Sequence, residues 1–216
     1  MKKDLTELVF ILDRSGSMGG LEEDTIKGFN SMLIKQLNEP GEALITTVLF
    51  DNDLELLHDR LNIREALPIT EDDYYVRGST ALLDAIGMTI SNLVKTTRQS
   101  KESERPEKVV FIITTDGEEN SSREYTFDKI NKMITYQKDR YGWEFIFLGA
   151  NIDAIATARR FGIREDRASN YHSDEKGTIL NYQVLNDAVS DLRASKSIDK
   201  NWKDKIEEDF KTRDKK

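Results

Sequence analysis

The sequence predicts an α/β fold, a doubly wound, mostly parallel sheet with one antiparallel edge strand and helices on both faces. Three observations lead there. Apolar β-type runs alternate with helical-period segments from Leu8 to Leu192, the order of a sheet whose strands are joined by crossover helices. The run Lys108 to Thr115 (KVVFIITT) is apolar at successive positions, as in a central strand covered from both sides. The strand-like runs also close on polar turn clusters, Asp13-Arg14-Ser15-Gly16-Ser17 and Asp116-Gly117 among them, at the strand ends where such sheets bind ligands.

Taken in order, Glu7 to Leu12 (ELVFIL) is the first strand, closed by the Asp13 turn cluster. Thr25, Ile26, Phe29, Met32, Leu33 and Leu37 recur at three- and four-residue spacing, one amphipathic helix face that Asn38-Glu39-Pro40-Gly41 terminates. Ala43 to Phe50 (ALITTVLF) is the next strand; Asp51-Asn52-Asp53 turns it, and Leu54 to His58 returns antiparallel. After a polar loop, Gly78-Ser79-Thr80 precedes a helix with Leu82, Leu83, Ile86, Ile90, Leu93 and Val94 on one face. The KVVFIITT strand follows, then a helix through Phe127, Ile130, Met133, Ile134 and Gln137. Trp143 to Leu148 (WEFIFL) is a strand, Ile155 to Phe161 a short helix, Ala168 to Tyr171 a weak last strand. Tyr182, Leu185, Ala188, Val189 and Leu192 mark the final helix of a domain spanning 1–194. In 195–216 the chain is densely charged, yet Ile198, Trp202, Ile206 and Phe210 sit four apart. That stripe predicts a charged amphipathic helix docked on the domain.

Composition bounds the function. The chain has 216 residues, 38% hydrophobic and 33% charged, enough for one sizeable domain with a short appendage. Forty acidic against thirty-two basic residues leave a net charge of −8, which disfavours a duplex-coating nucleic-acid binder. Without cysteine there are no disulfides, no thiolate zinc or iron–sulfur sites and no thiol catalysis. The apolar stretch Leu8 to Leu12 is shorter than a signal-peptide core of ~7–15 residues or a membrane span of ~20. A cytoplasmic, monomeric chain with no membrane partner is the expectation.

The chemistry gathers at the predicted strand ends. Asp13, Ser15 and Ser17 form Asp-x-Ser-x-Ser; Thr80 stands in a loop before a helix; Asp116-Gly117 closes the central strand. If the first strand and the Lys108–Thr115 strand are neighbours, both aspartates face one crevice. Two carboxylates and three hydroxyls are a hard, all-oxygen set that suits Mg²⁺, Mn²⁺ or Ca²⁺ and not zinc or copper. Two aspartates only just balance a divalent charge, so such an ion stays attractive to an incoming carboxylate, which is binding rather than catalysis.

Other polar residues carry weaker readings. Asp84 lies on a helix face; Glu118, Glu119 and Asn120 follow Asp116-Gly117 and rim the crevice; Asn151 and Asp153 end the WEFIFL strand beside it. His58 and His172 lack ligand spacing. The rival function is an Mg²⁺-dependent phosphoryl-transfer enzyme with Asp13 as nucleophile, but such enzymes carry Asp-x-Asp and Ser15 stands in the second place. Gly-x-x-x-x-Gly-Lys-Ser/Thr, Gly-x-Gly-x-x-Gly after a strand and Gly-x-Ser-x-Gly are all missing. A third reading is a scaffold whose ion is purely structural.

Asp13-x-Ser15-x-Ser17, Thr80 and Asp116-Gly117, in this order and at these strand ends, resemble the metal-ion-dependent adhesion site (MIDAS) of von Willebrand factor A domains, a Rossmann-like fold shared with integrin inserted domains. The resemblance runs from Leu5 to about Leu192. It implies that Ser15, Ser17 and Thr80 coordinate an ion directly, that Asp13 and Asp116 do so directly or through water, and that a partner's Asp or Glu fills the open position. It implies no catalytic activity. The leaderless chain, bacterial in appearance, departs from the family's extracellular adhesins, so an adhesion role is not carried over.

Overall fold

The computed structural model describes residues 1–194 and 196–213. Its elements are β1 (Lys2–Asp13), α1 (Glu22–Leu37), β2 (Glu42–Phe50), β3 (Leu54–Asn62), α2 (Leu82–Gln99), β4 (Pro106–Thr115), α3 (Phe127–Tyr141), β5 (Glu144–Gly149), α4 (Ala154–Arg160), β6 (Ala168–Asn170), α5 (Glu175–Arg193) and α6 (Asp204–Arg213). The strands form one sheet in the order β3-β2-β1-β4-β5-β6. All neighbours pair in parallel except β2 and β3, which form an antiparallel hairpin at the edge. The predicted doubly wound architecture is therefore the one observed.

The period of two along β1 sorts the core into two layers. Leu8, Phe10 and Leu12 pack with Phe29 and Met32 of α1 and Leu185 and Val189 of α5. Val9 and Ile11 point the other way, into a layer with Ile86 and Ile90 of α2, Ile130 and Ile134 of α3, and Phe161. Because both faces are covered, central strands can be apolar throughout, as the KVVFIITT run anticipates.

Three elements differ from their sequence-based bounds by more than two residues. β1 begins at Lys2 rather than Glu7, since pairing with β4 continues to Pro106 across an irregularity between Lys2 and Thr6. β3 continues past His58 to Asn62, through register shifts opposite Thr47 that a positive φ of 49° at Arg60 accompanies. Of the C-terminal helix predicted over 195–216, Asp204–Arg213 is helical, and positions 195 and 214–216 lie outside the described residues. Ile198, in an irregular stretch, and Trp202, in a turn, precede it; there the Asp199 side chain takes the Asn201 N–H at 2.8 Å and competes with helical bonding.

The terminal segment nevertheless docks. Ile198 and Ile206 are buried in the α1/α5 layer, and Trp202 packs against it while its Nε1 donates to the Asp166 carbonyl at 2.8 Å. Lys203 Nζ donates to the carbonyls of Glu165 and Ala168 at 2.8 and 2.7 Å, and Phe210 stacks on His172 with centroids 4.7 Å apart. Burying each large apolar side chain contributes about 1.5–3 kcal/mol, and ordering the segment offsets part of that. Deleting Ser197–Lys216 is expected to cost a net of about 2 kcal/mol, a melting temperature lower by several degrees in a thermal scan; an unchanged midpoint would mean that the segment is not docked in solution.

Candidate metal centre

The winding of the sheet reverses at β1, which has β2 on one side and β4 on the other. A crevice at the carboxyl ends follows from that topology. β1 ends at Asp13, β4 ends at Thr115, and Leu12 stands opposite Thr114, so Asp13 and Asp116 flank the same opening. The segment before α2 delivers Thr80 to it. All five predicted side chains meet here. Ser17 Oγ donates to Asp116 Oδ1 at 2.5 Å, Ser15 Oγ lies 3.2 Å from Ser17 Oγ, and Thr80 Oγ1 donates to Ser15 Oγ at 3.0 Å. A Cβ on Gly117 would stand 3.0 Å from Ser17 Oγ and 3.2 Å from Thr80 Oγ1. Glycine is what lets the backbone approach the hydroxyls this closely.

Asp13 forms the floor. It is 1% exposed; its Oδ1 accepts the Ser15 backbone N–H at 2.7 Å and its Oδ2 the Thr115 hydroxyl at 2.5 Å. Tyr74 donates its hydroxyl to the Asp13 carbonyl. Burial pushes the Asp13 carboxyl up to about 6, only partly opposed by the hydrogen bonds from Thr115 and Ser15 and reinforced by the Asp116 charge. Asp116 is also raised by burial, against hydrogen bonds from Ser17 and Ser173. Two neighbouring carboxyls that both resist ionisation leave a site short of positive charge. Ser15, Thr80 and Asp116 are buried while Ser17 is exposed, so the centre opens on the Ser17 side. There it meets a polar groove of about 660 Å³ lined by Ser17, Asp24, Asn151, Ser173 and Glu175.

The weaker candidates separate into supports and bystanders. Asp84 accepts three backbone N–H groups, from Arg123, Glu124 and Tyr125, at 2.7, 3.0 and 2.9 Å, and so anchors the turn before α3. Glu119 does likewise for Leu83, Ser121 and Ser122. Asn120 clamps the Thr80 backbone, accepting its N–H at 2.9 Å and donating its own to the Thr80 carbonyl at 3.0 Å. Asp153 caps α4 through the Ala156 N–H, Asn151 stands across the groove with φ 55°, and Glu118 is exposed. His58 lies by Thr47 and stacks on Phe29; His172 holds α6.

Several contributors escaped the sequence reading. Thr115 sits inside an apolar run, where nothing marks its hydroxyl as facing Asp13. Tyr74 and Ser173 come from loops whose placement only the tertiary fold sets. Arg14, between two predicted ligands, is fully buried and paired with Asp51 at 2.9 Å and Glu55 at 2.8 Å. An arginine in a turn ordinarily signals solvent, so its burial has no sequence signature. Among the described residues no three acidic or histidine side chains converge, and a donor set here must rest on two carboxylates and hydroxyls.

The profile of the von Willebrand factor type A domain matches residues 7–183. Among solved structures, manganese-loaded TRAP protein of Plasmodium vivax is 18% identical, with TM-score 0.58, over 83% of this chain and 73% of that one. Proximal thread matrix protein 1 of the mussel byssus, with a zinc-occupied MIDAS motif, is 12% identical with TM-score 0.59 over 85% and 47%. The ArnB paralog VWA2 of Sulfolobus acidocaldarius is 19% identical with TM-score 0.52 over 87% and 45%. The chain spans about half the length of the mussel and Sulfolobus structures. No curated protein matches it. With a family profile matched over most of its length and a six-stranded sheet of this topology, the chain belongs to the von Willebrand factor type A domain family.

Proposed function

We propose that the chain is a protein-binding module that depends on a divalent ion, with Asp13, Ser15, Ser17, Thr80 and Asp116 as a MIDAS-type donor set. The observation that carries this reading is the convergence of hard oxygens at the strand ends. The hydroxyls of Thr80, Ser15 and Ser17 are in hydrogen-bond contact at 3.0 and 3.2 Å, and Ser17 in turn meets Asp116 Oδ1, an all-oxygen cluster of the kind that small divalent ions take. The donors are hard oxygens, so Mg²⁺ is the proposed ion, with Mn²⁺ or Ca²⁺ as substitutes. The Plasmodium structure is manganese-loaded and the mussel MIDAS motif is zinc-occupied, and both ions are likewise divalent.

Bound there, a divalent ion supplies an electrophilic position for a carboxylate. The chain's own residues do the rest. Asp13, buried and held by Ser15 and Thr115, contributes charge from below; the hydroxyls add oxygens without charge; Ser17 leaves the outer side open to an Asp or Glu of a protein partner. The aspartyl-nucleophile reading is disfavoured because both oxygens of Asp13 are engaged and the group is 1% exposed. We propose a binding module rather than an enzyme, and neither nucleic acid nor membrane as its partner.

Calorimetric titration with Mn²⁺ tests the ion, and capture from native cell extract in Mg²⁺ or EDTA tests the partner. One site per chain and a partner retained only with Mg²⁺ are expected. A chain that takes up no Mn²⁺ would exclude the proposal.

A further inference from the structure

Beside the centre, three loops converge on one buried carboxylate. Asp51, in the β2–β3 turn, receives Arg14 Nε at 2.9 Å and Arg77 Nε at 2.8 Å on the same oxygen, Oδ2, while Oδ1 takes the Asp53 N–H at 2.9 Å. Asp51 and Arg14 are both fully buried, and Arg77 is half-exposed. Tyr75 lies under both guanidiniums, with their centres 5.4 and 5.5 Å from the ring. Burial raises the Asp51 carboxyl, but the hydrogen bonds from Arg77, the Asp53 backbone and Arg14 outweigh it and hold the group below its ordinary value.

The backbone around this hub ties the metal-site loops to one another. Arg77 N donates to the Arg14 carbonyl at 2.9 Å, Gly16 N to the Gly78 carbonyl at 3.1 Å, and Ala81 N to the Asp51 carbonyl at 2.8 Å. Gly78 adopts φ +68°, and a Cβ there would fall 2.1 Å from Asn52 Oδ1, so the loops are also in close contact. Ser15 lies between Arg14 and Gly16, and Thr80 next to Ala81. Their hydroxyls are hydrogen-bonded at 3.0 Å, and these backbone ties hold the two loops that carry them against moving apart.

We infer that Asp51, Arg14 and Arg77 are positioning residues that fix the oxygen spacing of the centre and thereby make it select small divalent ions over Ca²⁺. This inference rests on the metal-binding reading above. An octahedral site with bonds of ~2.1 Å needs oxygens ~3.0 Å apart, whereas Ca²⁺ at ~2.4 Å needs ~3.4 Å and prefers a pliable cage. To accept Ca²⁺, the Thr80 loop must move away from the Ser15 loop. Asp51 opposes that movement, because it holds one loop by a guanidinium and the other by its carbonyl and Arg77.

The test compares Mg²⁺ and Ca²⁺ affinities, by calorimetry, for the wild-type chain, Arg77→Met, Arg77→Lys and a distant control, Lys132→Met, which removes an exposed ion pair on α3. Melting curves in EDTA run alongside. Arg77→Met keeps the apolar stem at a half-exposed position and leaves the buried Arg14–Asp51 pair intact. Losing a group that orients a ligand typically costs 10–100-fold in metal affinity. The expected result is a Mg²⁺ affinity at least about tenfold weaker, Ca²⁺ affinity within about twofold of wild type, Arg77→Lys between the two, and Lys132→Met unchanged. Equal losses for both ions, or no loss for either, would overturn the inference while leaving the metal site standing. A wild-type chain that binds neither ion would overturn the metal-binding reading itself, and this inference with it.

Discussion

Asp13→Asn is expected to stabilise the metal-free protein above pH 6 and to abolish its response to Mn²⁺. The folded carboxyl titrates at about 6 against an ordinary 3.8. A carboxyl raised on folding binds its proton more tightly in the native state, so it favours folding when protonated. The metal-free wild type should therefore lose stability as pH rises from about 4 through 6 and stay lower beyond. Two units correspond to roughly 2–3 kcal/mol, or roughly 4–12 °C for a chain of this size. Asparagine carries no proton to lose, keeps an oxygen for the Ser15 N–H, and offers an amide toward the Thr115 hydroxyl, which can turn to the Gly117 carbonyl it already approaches at 3.1 Å. Its melting temperature in EDTA should fall less than that of the wild type as pH rises across this window, and exceed it at pH 8. Mn²⁺ should reverse the order, because only the wild type supplies the floor charge. Its Mn²⁺ affinity should also fall about tenfold per pH unit below 6, where the ion competes with the Asp13 proton. Parallel melting curves for both proteins across pH 4–8 would mean that Asp13 is not held in a desolvated pocket.

The cluster at the strand ends was legible because its five side chains announce themselves by residue type in places where that type is costly to explain otherwise. An Asp-x-Ser-x-Ser turn, a threonine after Gly-Ser and an Asp-Gly closing an apolar strand are all polar interruptions at strand ends. A doubly wound topology then says which ends are adjacent. The fold was legible for the same reason: periods of two and 3.6 are visible in a single chain. What stayed hidden is the scaffold that gives the set its shape. Asp84 accepts backbone N–H groups of a loop some forty residues away, and Glu119 joins its own loop to the start of α2 through the Leu83 N–H; the identity of an N–H donor leaves no trace in residue type. Arg14 looks like a solvated turn residue until β2 and β3 bring Asp51 and Glu55 beside it.

The C-terminal stripe shows the converse error. Four apolar residues four apart predict one continuous helix, and Ile206 and Phe210 do lie on one. Ile198 and Trp202 are packed against the same core by an irregular stretch and a turn instead, with Asp199 and the carbonyls around Asp166 supplying the bonds a helix would have supplied. Apolar spacing reports which residues are buried more faithfully than the backbone conformation that buries them, since an extended or turned segment can present the same side chains.

Asp116→Ala should remove ion binding outright, and Thr80→Ala should weaken it without harming the fold. Asp116 carries one of only two formal charges in the set and accepts the Ser17 and Ser173 hydroxyls at 2.5 and 3.3 Å. Its loss leaves a divalent ion with a single buried carboxylate, and no Mn²⁺ heat is expected. In EDTA the same substitution should be mild, since burial already raises the Asp116 carboxyl and deleting it removes a strained charge along with its hydrogen bonds. Thr80→Ala deletes a neutral oxygen from a loop residue whose backbone Asn120 still holds from both sides. Fold stability should stay within about 1 kcal/mol, while Mn²⁺ affinity falls by roughly tenfold, the equivalent of about 1.4 kcal/mol. Thr80→Ser keeps the oxygen and should recover most of that affinity, which separates the hydroxyl from the lost methyl packing. Calorimetry and melting curves in EDTA for the three variants give the order directly: Asp116→Ala below Thr80→Ala, and Thr80→Ser close to wild type. Equal affinity in all three would mean that these oxygens do not face the ion, and the donor set would have to be abandoned.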